Sequence, residues 1–201
     1  MHRNLSRVRW LGGSKGGGFA WLILFIWMAG PVGAEKIGPW DTESLFRTPQ
    51  AQWQPARQGV QEVYYEGEPF HGRPTRVYAV YAEPAAGQKP YPAMVCVHGG
   101  GGTAFPEWVK LWAARGYAAL AMDLAGCGPE RKRLSDGGPD QSDSAKFADF
   151  DEKTASDMWT YHAVAAVIRG HSLLRSLPQI DPERIGLTGI SWGGYLTCIV
   201  A

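Results

Sequence analysis

Apolar and polar positions follow two different periods along this chain. Residues 60–65 and 76–82 are rich in Val and Tyr, and Gly67, Pro69, Gly72 and Pro74 lie between them. β-Branched and aromatic runs flanking a Gly/Pro cluster predict strand, turn and strand, an antiparallel pair. Residues 93–97 (AMVCV) and 117–122 (YAALAM) are apolar without a break. Such runs predict strands in a sheet covered on both faces. Between them, Phe105, Trp108, Val109 and Trp112 recur at i, i+3, i+4 and i+7, one face of a helix stopped by Gly116. Residues 124–150 form a long polar loop. A second helix is expected over 154–174, with Met158, Trp159, His162, Ala166 and Val167 on its apolar face and Pro178 closing it. Asp181-Pro182 opens a turn, residues 185–188 read as a short strand, and an apolar helix starts near Tyr195.

Strands alternating with helices predict an α/β fold, a mostly parallel sheet with helices on both faces. Residues 60–201 hold this single domain. Residues 35–59, rich in Pro, Gln and Trp without periodicity, read as an irregular arm.

Composition narrows the class. Of 201 residues, 45% are apolar and 19% charged, which excludes collagen-like, coiled-coil and disordered chains. A net charge of +1 offers no basic field for nucleic acid. Three cysteines, Cys96, Cys127 and Cys198, are too few for a disulfide framework, and Cys96 and Cys198 sit in apolar elements that predict core thiols. No metal or cofactor constellation stands out, and Asp136, Asp140, Asp143, Asp149 and Asp151 read as a solvated loop.

The first 34 residues have their own pattern. Arg3, Arg7, Arg9 and Lys15 precede an unbroken apolar run of eleven residues, 19–29, which ends at Gly30-Pro31 and the small residues Val32-Gly33-Ala34. This is the layout of a secretory signal peptide cleaved after Ala34. The run is short for a membrane span, which needs about 20 apolar residues, so no stable span is expected after cleavage. Gly12-Gly13-Ser14-Lys15 lacks the spacing of a phosphate loop. Without the leader, sixteen basic residues face nineteen acidic ones, a net charge of −3. The chain reads as secreted or periplasmic.

The chemistry gathers at two glycine-rich turns. Gly189-Ile190-Ser191-Trp192-Gly193 matches G-x-S-x-G between a predicted strand and a predicted helix. A sharp strained turn there lifts the Ser191 hydroxyl above the sheet as a nucleophile. A Cβ at Gly189 or Gly193 would collide with the neighbouring element. His98-Gly99-Gly100-Gly101-Gly102 follows a buried strand, where an acyl-transfer site takes a second oxyanion donor. The expected donors are the backbone N–H groups of Trp192 and Gly100. His98, Gly99 and Gly101 support that loop.

With these turns in view, the run from Asp181 through Ser191 to Gly194, together with residues 98–102 and 122–128, resembles the α/β-hydrolase superfamily. The likeness is to its acetyl xylan esterase, dienelactone hydrolase and prolyl oligopeptidase-like branch, over about residues 60–201. The resemblance implies a serine hydrolase, a carboxylesterase acting on small-molecule or carbohydrate esters. A prolyl oligopeptidase-like peptidase is the alternative. Triad order in this fold is Ser, then acid, then His. All five histidines (His2, His71, His98, His162, His171) precede Ser191, and ten residues follow it. The chain is therefore expected to be the front part of the fold, inactive alone, with acid and His absent and a sheet edge left open. His98 is expected to brace the glycine loop.

Two readings of other classes remain open at this point. Gly99 to Ala104 fits G-x-G-x-x-A with Asp123 ending the next strand, a dinucleotide-binding pattern. A non-catalytic binding protein could use Trp40 and Trp53 to stack on carbohydrate.

Overall fold

The structure, a computed structural model, describes residues 38–201. The expected leader and its cleavage after Ala34 lie outside the described residues. The chain runs α1 (Thr42–Leu45), β1 (Ala51–Trp53), β2 (Gln61–Glu66), β3 (Arg76–Ala82), β4 (Tyr91–Val97), α2 (Pro106–Ala113), β5 (Ala118–Met122), α3 (Asp143–Lys146), α4 (Trp159–Ser176), β6 (Ile180–Gly189) and α5 (Trp192–Val200). Six strands form one sheet in the order β1-β2-β3-β5-β4-β6. The first four in that order pair antiparallel, and β5, β4 and β6 are parallel. Among the described strands β6 pairs only with β4 and lies at the sheet's edge.

Strand alternation divides the core into two layers. Ala93, Val95 and Val97 of β4 and Ala118, Leu120 and Met122 of β5 face one layer, built with α4 and Leu196 of α5. Cys96, Ala119 and Ala121 face the other, built with Val109 of α2. Trp108 and Trp112 pack against that second layer, as their helical spacing predicts. α4 differs from expectation. It is buried almost all round, from Trp159 to Leu174, because the sheet, α1, α3 and α5 all contact it. Its start is also later than expected. Asp151 Oδ1 accepts the Lys153 and Thr154 N–H groups, a separate 3-10 turn follows over Ala155–Asp157, and extended Met158 breaks the run. β6 begins earlier than the short strand at 185–188, at Ile180. The Asp181-Pro182 turn survives inside it as an irregularity in the pairing with β4.

The stretch expected to be an irregular arm is stitched to the domain by single side chains. Trp40 Nε1 donates to the Tyr161 carbonyl at 3.0 Å and its ring stacks on Tyr161. Leu45 is buried in the main layer, and Trp53 sets its edge against Tyr81. Both rings are half-buried and take part in packing, which accounts for Trp40 and Trp53 without a carbohydrate ligand. Cys96 is a core thiol, pushed up to about 12 by burial. Cys198 is exposed, contrary to expectation, because α5 turns Leu196 inward and Tyr195, Cys198 and Ile199 outward.

A buried charge network joins α4 to the β2–β3 hairpin. Arg169 Nε donates to Glu68 Oε1 at 3.1 Å, and the Tyr161 hydroxyl donates to Glu68 Oε2 at 3.2 Å. Arg169 is 7% and Glu68 14% exposed, so removing one partner strands a charge in the core. Arg169→Ala is expected to destabilise the domain by about 3 kcal/mol, read from the urea midpoint, and Arg169→Met combined with Glu68→Gln to recover most of the loss.

Candidate active site

Parallel strands place the turns that follow them at one end of the sheet. β4 leads into His98 and the glycines, β5 into Asp123, and β6 into Ser191, so these three turns stand side by side. Ser191 has φ 57° and ψ −121°, a conformation L residues avoid, and it is exposed between β6 and α5. The flanking glycines are required by space. A Cβ at Gly189 would overlap the Gly193 carbonyl, and one at Gly193 would overlap the carbonyl of Val97. The strand enters and the helix leaves too close together for a side chain at either position.

The glycine loop closes on the same turn. A Cβ at Gly99 would lie 2.7 Å from the Ile190 carbonyl oxygen and 3.1 Å from Ser191 Cβ. One at Gly100 would sit 3.3 Å from Trp192 Cδ1. Among the described residues, neither the Trp192 nor the Gly100 backbone N–H donates to a protein acceptor. Helix α5 begins at Trp192, so its N-terminal dipole adds positive potential beside the Ser191 side chain. The structure thus brings together Ser191, Trp192, Gly99, Gly100, Gly189 and Gly193. Gly101, at φ +68°, lies on the loop's outer side.

His98 is 1% exposed and fully engaged. Its Nε2 accepts the Leu124 N–H at 2.8 Å, which leaves the proton on Nδ1, and Nδ1 then donates to the Gly99 carbonyl at 2.7 Å. It braces the loop and is not a base for Ser191. Burial holds it below the usual imidazole range. His162 is also buried, between Phe70 and Tyr161, and His171 is half-buried on α4. His71 is exposed, 4.0 Å from Asp157. Ser191 Oγ makes no hydrogen bond among the described residues.

Asp123 is buried, 3% exposed, and its carboxylate is engaged within its own chain. Its Oδ1 accepts the Ala125 and Cys127 N–H groups at 2.9 and 2.8 Å, and its Oδ2 accepts the Thr103 hydroxyl at 3.1 Å. Together with the glycines' approach to the Ser191 turn, this corrects the dinucleotide-binding reading.

The polar loop after β5 supplies contacts the sequence pattern did not reveal. Gln141 Oε1 accepts the Gly101 N–H at 3.0 Å, and its Nε2 donates to the Gly99 carbonyl at 3.4 Å. Phe147 packs its ring 5.8 Å from that of Trp192, and Lys146 Nζ lies 5.8 Å from the same ring. Trp192 also meets Trp159 and Tyr195 edge-on. A glutamine in a polar stretch carries no periodic signal, so only the fold could find it.

Residues 45–201 match the family described as acetyl xylan esterase (AXE1). The chain belongs to the acetyl xylan esterase family. Its fold is that of the α/β-hydrolases. The acetyl xylan esterase from Paenibacillus sp. R4 superposes with a TM-score of 0.57 at 21% identity, over 80% of this chain and 52% of that one. Acetyl xylan esterase 1 from Thermoanaerobacterium sp. JW/SL YS485 superposes with a TM-score of 0.55 at 18% identity, over 80% of this chain and 53% of that one. The chain therefore spans about half the length of these solved members. An uncharacterized peptidase of Bacillus subtilis (strain 168), YuxL, is 33% identical over 116 residues, 55% of this chain and 15% of that protein.

Burial lowers the proton affinity of His98, His162 and His171. Below about pH 6.5 the unfolded chain therefore binds more protons than the folded one, and stability falls as pH falls. Urea unfolding at pH 7.5 and pH 5 is expected to show a lower free energy at pH 5. His162→Leu removes a buried imidazole whose Nε2 has no partner among the described residues and should flatten that slope. An unchanged slope would place the dependence on the other histidines.

Proposed function

We propose that this protein is a serine carboxylesterase that forms an acyl-enzyme on Ser191 and cleaves small acyl esters, with acetylated sugars as the substrate class. The observation that carries the reading is the Ser191 turn itself. An exposed serine held at φ 57°, beside two backbone N–H groups that meet no protein acceptor among the described residues, is preorganised for acyl transfer. In the proposed reaction Ser191 Oγ attacks the ester carbonyl carbon. Negative charge grows on the carbonyl oxygen, where the Trp192 and Gly100 N–H groups receive it. The alcohol leaves with the serine proton, and water then releases the acid and restores the hydroxyl.

Ser191 needs a base to lose its proton at neutral pH. In the order of this fold an acid and a histidine follow the nucleophile. His98 serves the glycine loop instead, so the site turns over where that later histidine is supplied. Family membership supports the acetyl ester as substrate, and the leader-like residues 1–34 support export to the periplasm or the medium. The peptidase relative matches over too small a part of its length to favour amide cleavage.

The test is hydrolysis of p-nitrophenyl acetate and of acetylated xylo-oligosaccharide by the protein that carries this chain. Ser191→Ala is expected to lower turnover at least about a thousandfold with folding unchanged. Turnover by Ser191→Ala equal to the parent would overturn the assignment. Cleavage of peptide anilides in preference to acetyl esters would replace the esterase reading with the peptidase one.

A further inference from the structure

The peptide joining Gly99 to Gly100 is planar and trans, so the Gly99 carbonyl and the Gly100 N–H point in opposite directions in one plane. Whatever holds the Gly99 oxygen therefore aims the Gly100 N–H. From the core, His98 Nδ1 donates to that oxygen at 2.7 Å, and the Gly102 N–H donates at 3.1 Å. From the opposite side, across 42 positions of sequence, Gln141 Nε2 reaches the same oxygen at 3.4 Å. Its Oε1 accepts the Gly101 N–H at 3.0 Å. One carboxamide thus holds the groups on both sides of the Gly100 N–H. The opposite orientation would face NH₂ with N–H and oxygen with oxygen, so the chemistry decides the assignment.

Gln141 is itself presented by an ordered turn. Asp140 Oδ1 accepts the Ser142 N–H at 2.9 Å, and Ser142 Oγ caps α3 by accepting the Ala145 N–H at 3.2 Å. Upstream, Arg133 donates to the carbonyls of Ala125, Gly137 and Gly138, and Asp136 pairs with Arg76 of β3. The loop that carries Gln141 is therefore braced against the sheet before it reaches the glycines. Gly101 is exposed at φ +68°, and its N–H finds its acceptor in Gln141 Oε1.

We infer that Gln141 is a positioning residue of the site: its carboxamide locks the Gly99–Gly101 backbone so that the Gly100 N–H faces Ser191. The inference rests on the esterase reading above, because it assigns Gln141 a share in aiming an oxyanion donor. Gln141 acts through the glycine backbone and not on the ester.

Two variants separate the halves of the contact. Gln141→Leu removes both hydrogen bonds. Gln141→Glu keeps an acceptor for the Gly101 N–H and turns a carboxylate toward the Gly99 oxygen. With p-nitrophenyl acetate, kcat is expected to fall about tenfold to a hundredfold in both variants, with KM within about twofold of the parent. Amide exchange at Gly101, read by NMR, is expected to speed up about threefold to tenfold in Gln141→Leu and to stay near parental in Gln141→Glu. A purely structural role would instead lower the melting temperature of both variants and leave kcat of the folded fraction unchanged. An unchanged kcat in Gln141→Leu overturns the inference, and so does a loss expressed wholly in KM. If the parent protein hydrolyses no ester, the esterase reading fails and takes the catalytic share with it. The exchange data then decide the lock alone, which unaltered Gly101 protection in Gln141→Leu would refute.

Discussion

The carbonyl of Val97 occupies the space where a β-carbon at position 193 would go, and the Ile190 carbonyl does the same to position 99. Two strand ends, β4 and β6, and the helix that leaves β6 thereby meet backbone to backbone. This close approach governs the rest of the site. It forces glycine at 189, 193 and 99, it bends the chain through an unfavourable conformation at Ser191, and it brings the 98–102 loop beside the serine. Strain of this kind persists only when the surroundings over-determine it. Here they do so through the parallel pairing of β4 with β6 on one side and the packing of Leu196 and Trp192 against the main layer on the other.

Polar side chains complete what packing begins. A loop of four glycines costs more conformational entropy to order than any other four residues. His98 ties it to the strand-end turn at Leu124, Thr103 ties it to Asp123, and Gln141 spans its outer side. Asp123 in turn folds the Leu124–Cys127 turn around its own carboxylate. Asp123, which a dinucleotide pattern would assign to a ribose, is spent on Thr103 and its own turn, and the Gly99 and Gly101 backbone is held by His98 and Gln141.

How much was legible in advance depends on whether a residue acts as part of a repeat. Apolar runs and glycine stops carried the strand–helix order of β2 through α5 except for the short α3, which lies in the stretch read as a polar loop. The G-x-S-x-G and HGGGG turns carried the site, because crowding leaves a visible demand for glycine. The N-terminal stretch was not legible, since Trp40, Leu45 and Trp53 anchor it one side chain at a time and no period results. Cys198 departs from the core thiol that its apolar helix predicts, because α5 buries one side and turns Cys198 to the other. Gln141 was invisible for a simpler reason: its partners are backbone groups forty residues away, and nothing local distinguishes it from its polar neighbours.

The central claim is that Ser191 is the nucleophile that this geometry prepares. The most direct measurement is covalent: treat the protein that carries this chain with a fluorophosphonate and map the adduct by peptide mass spectrometry. The account predicts one phosphonylated residue, Ser191, with labelling lost when the protein is unfolded. Labelling of a different residue with Ser191 left unmodified, alongside loss of esterase activity, would contradict it.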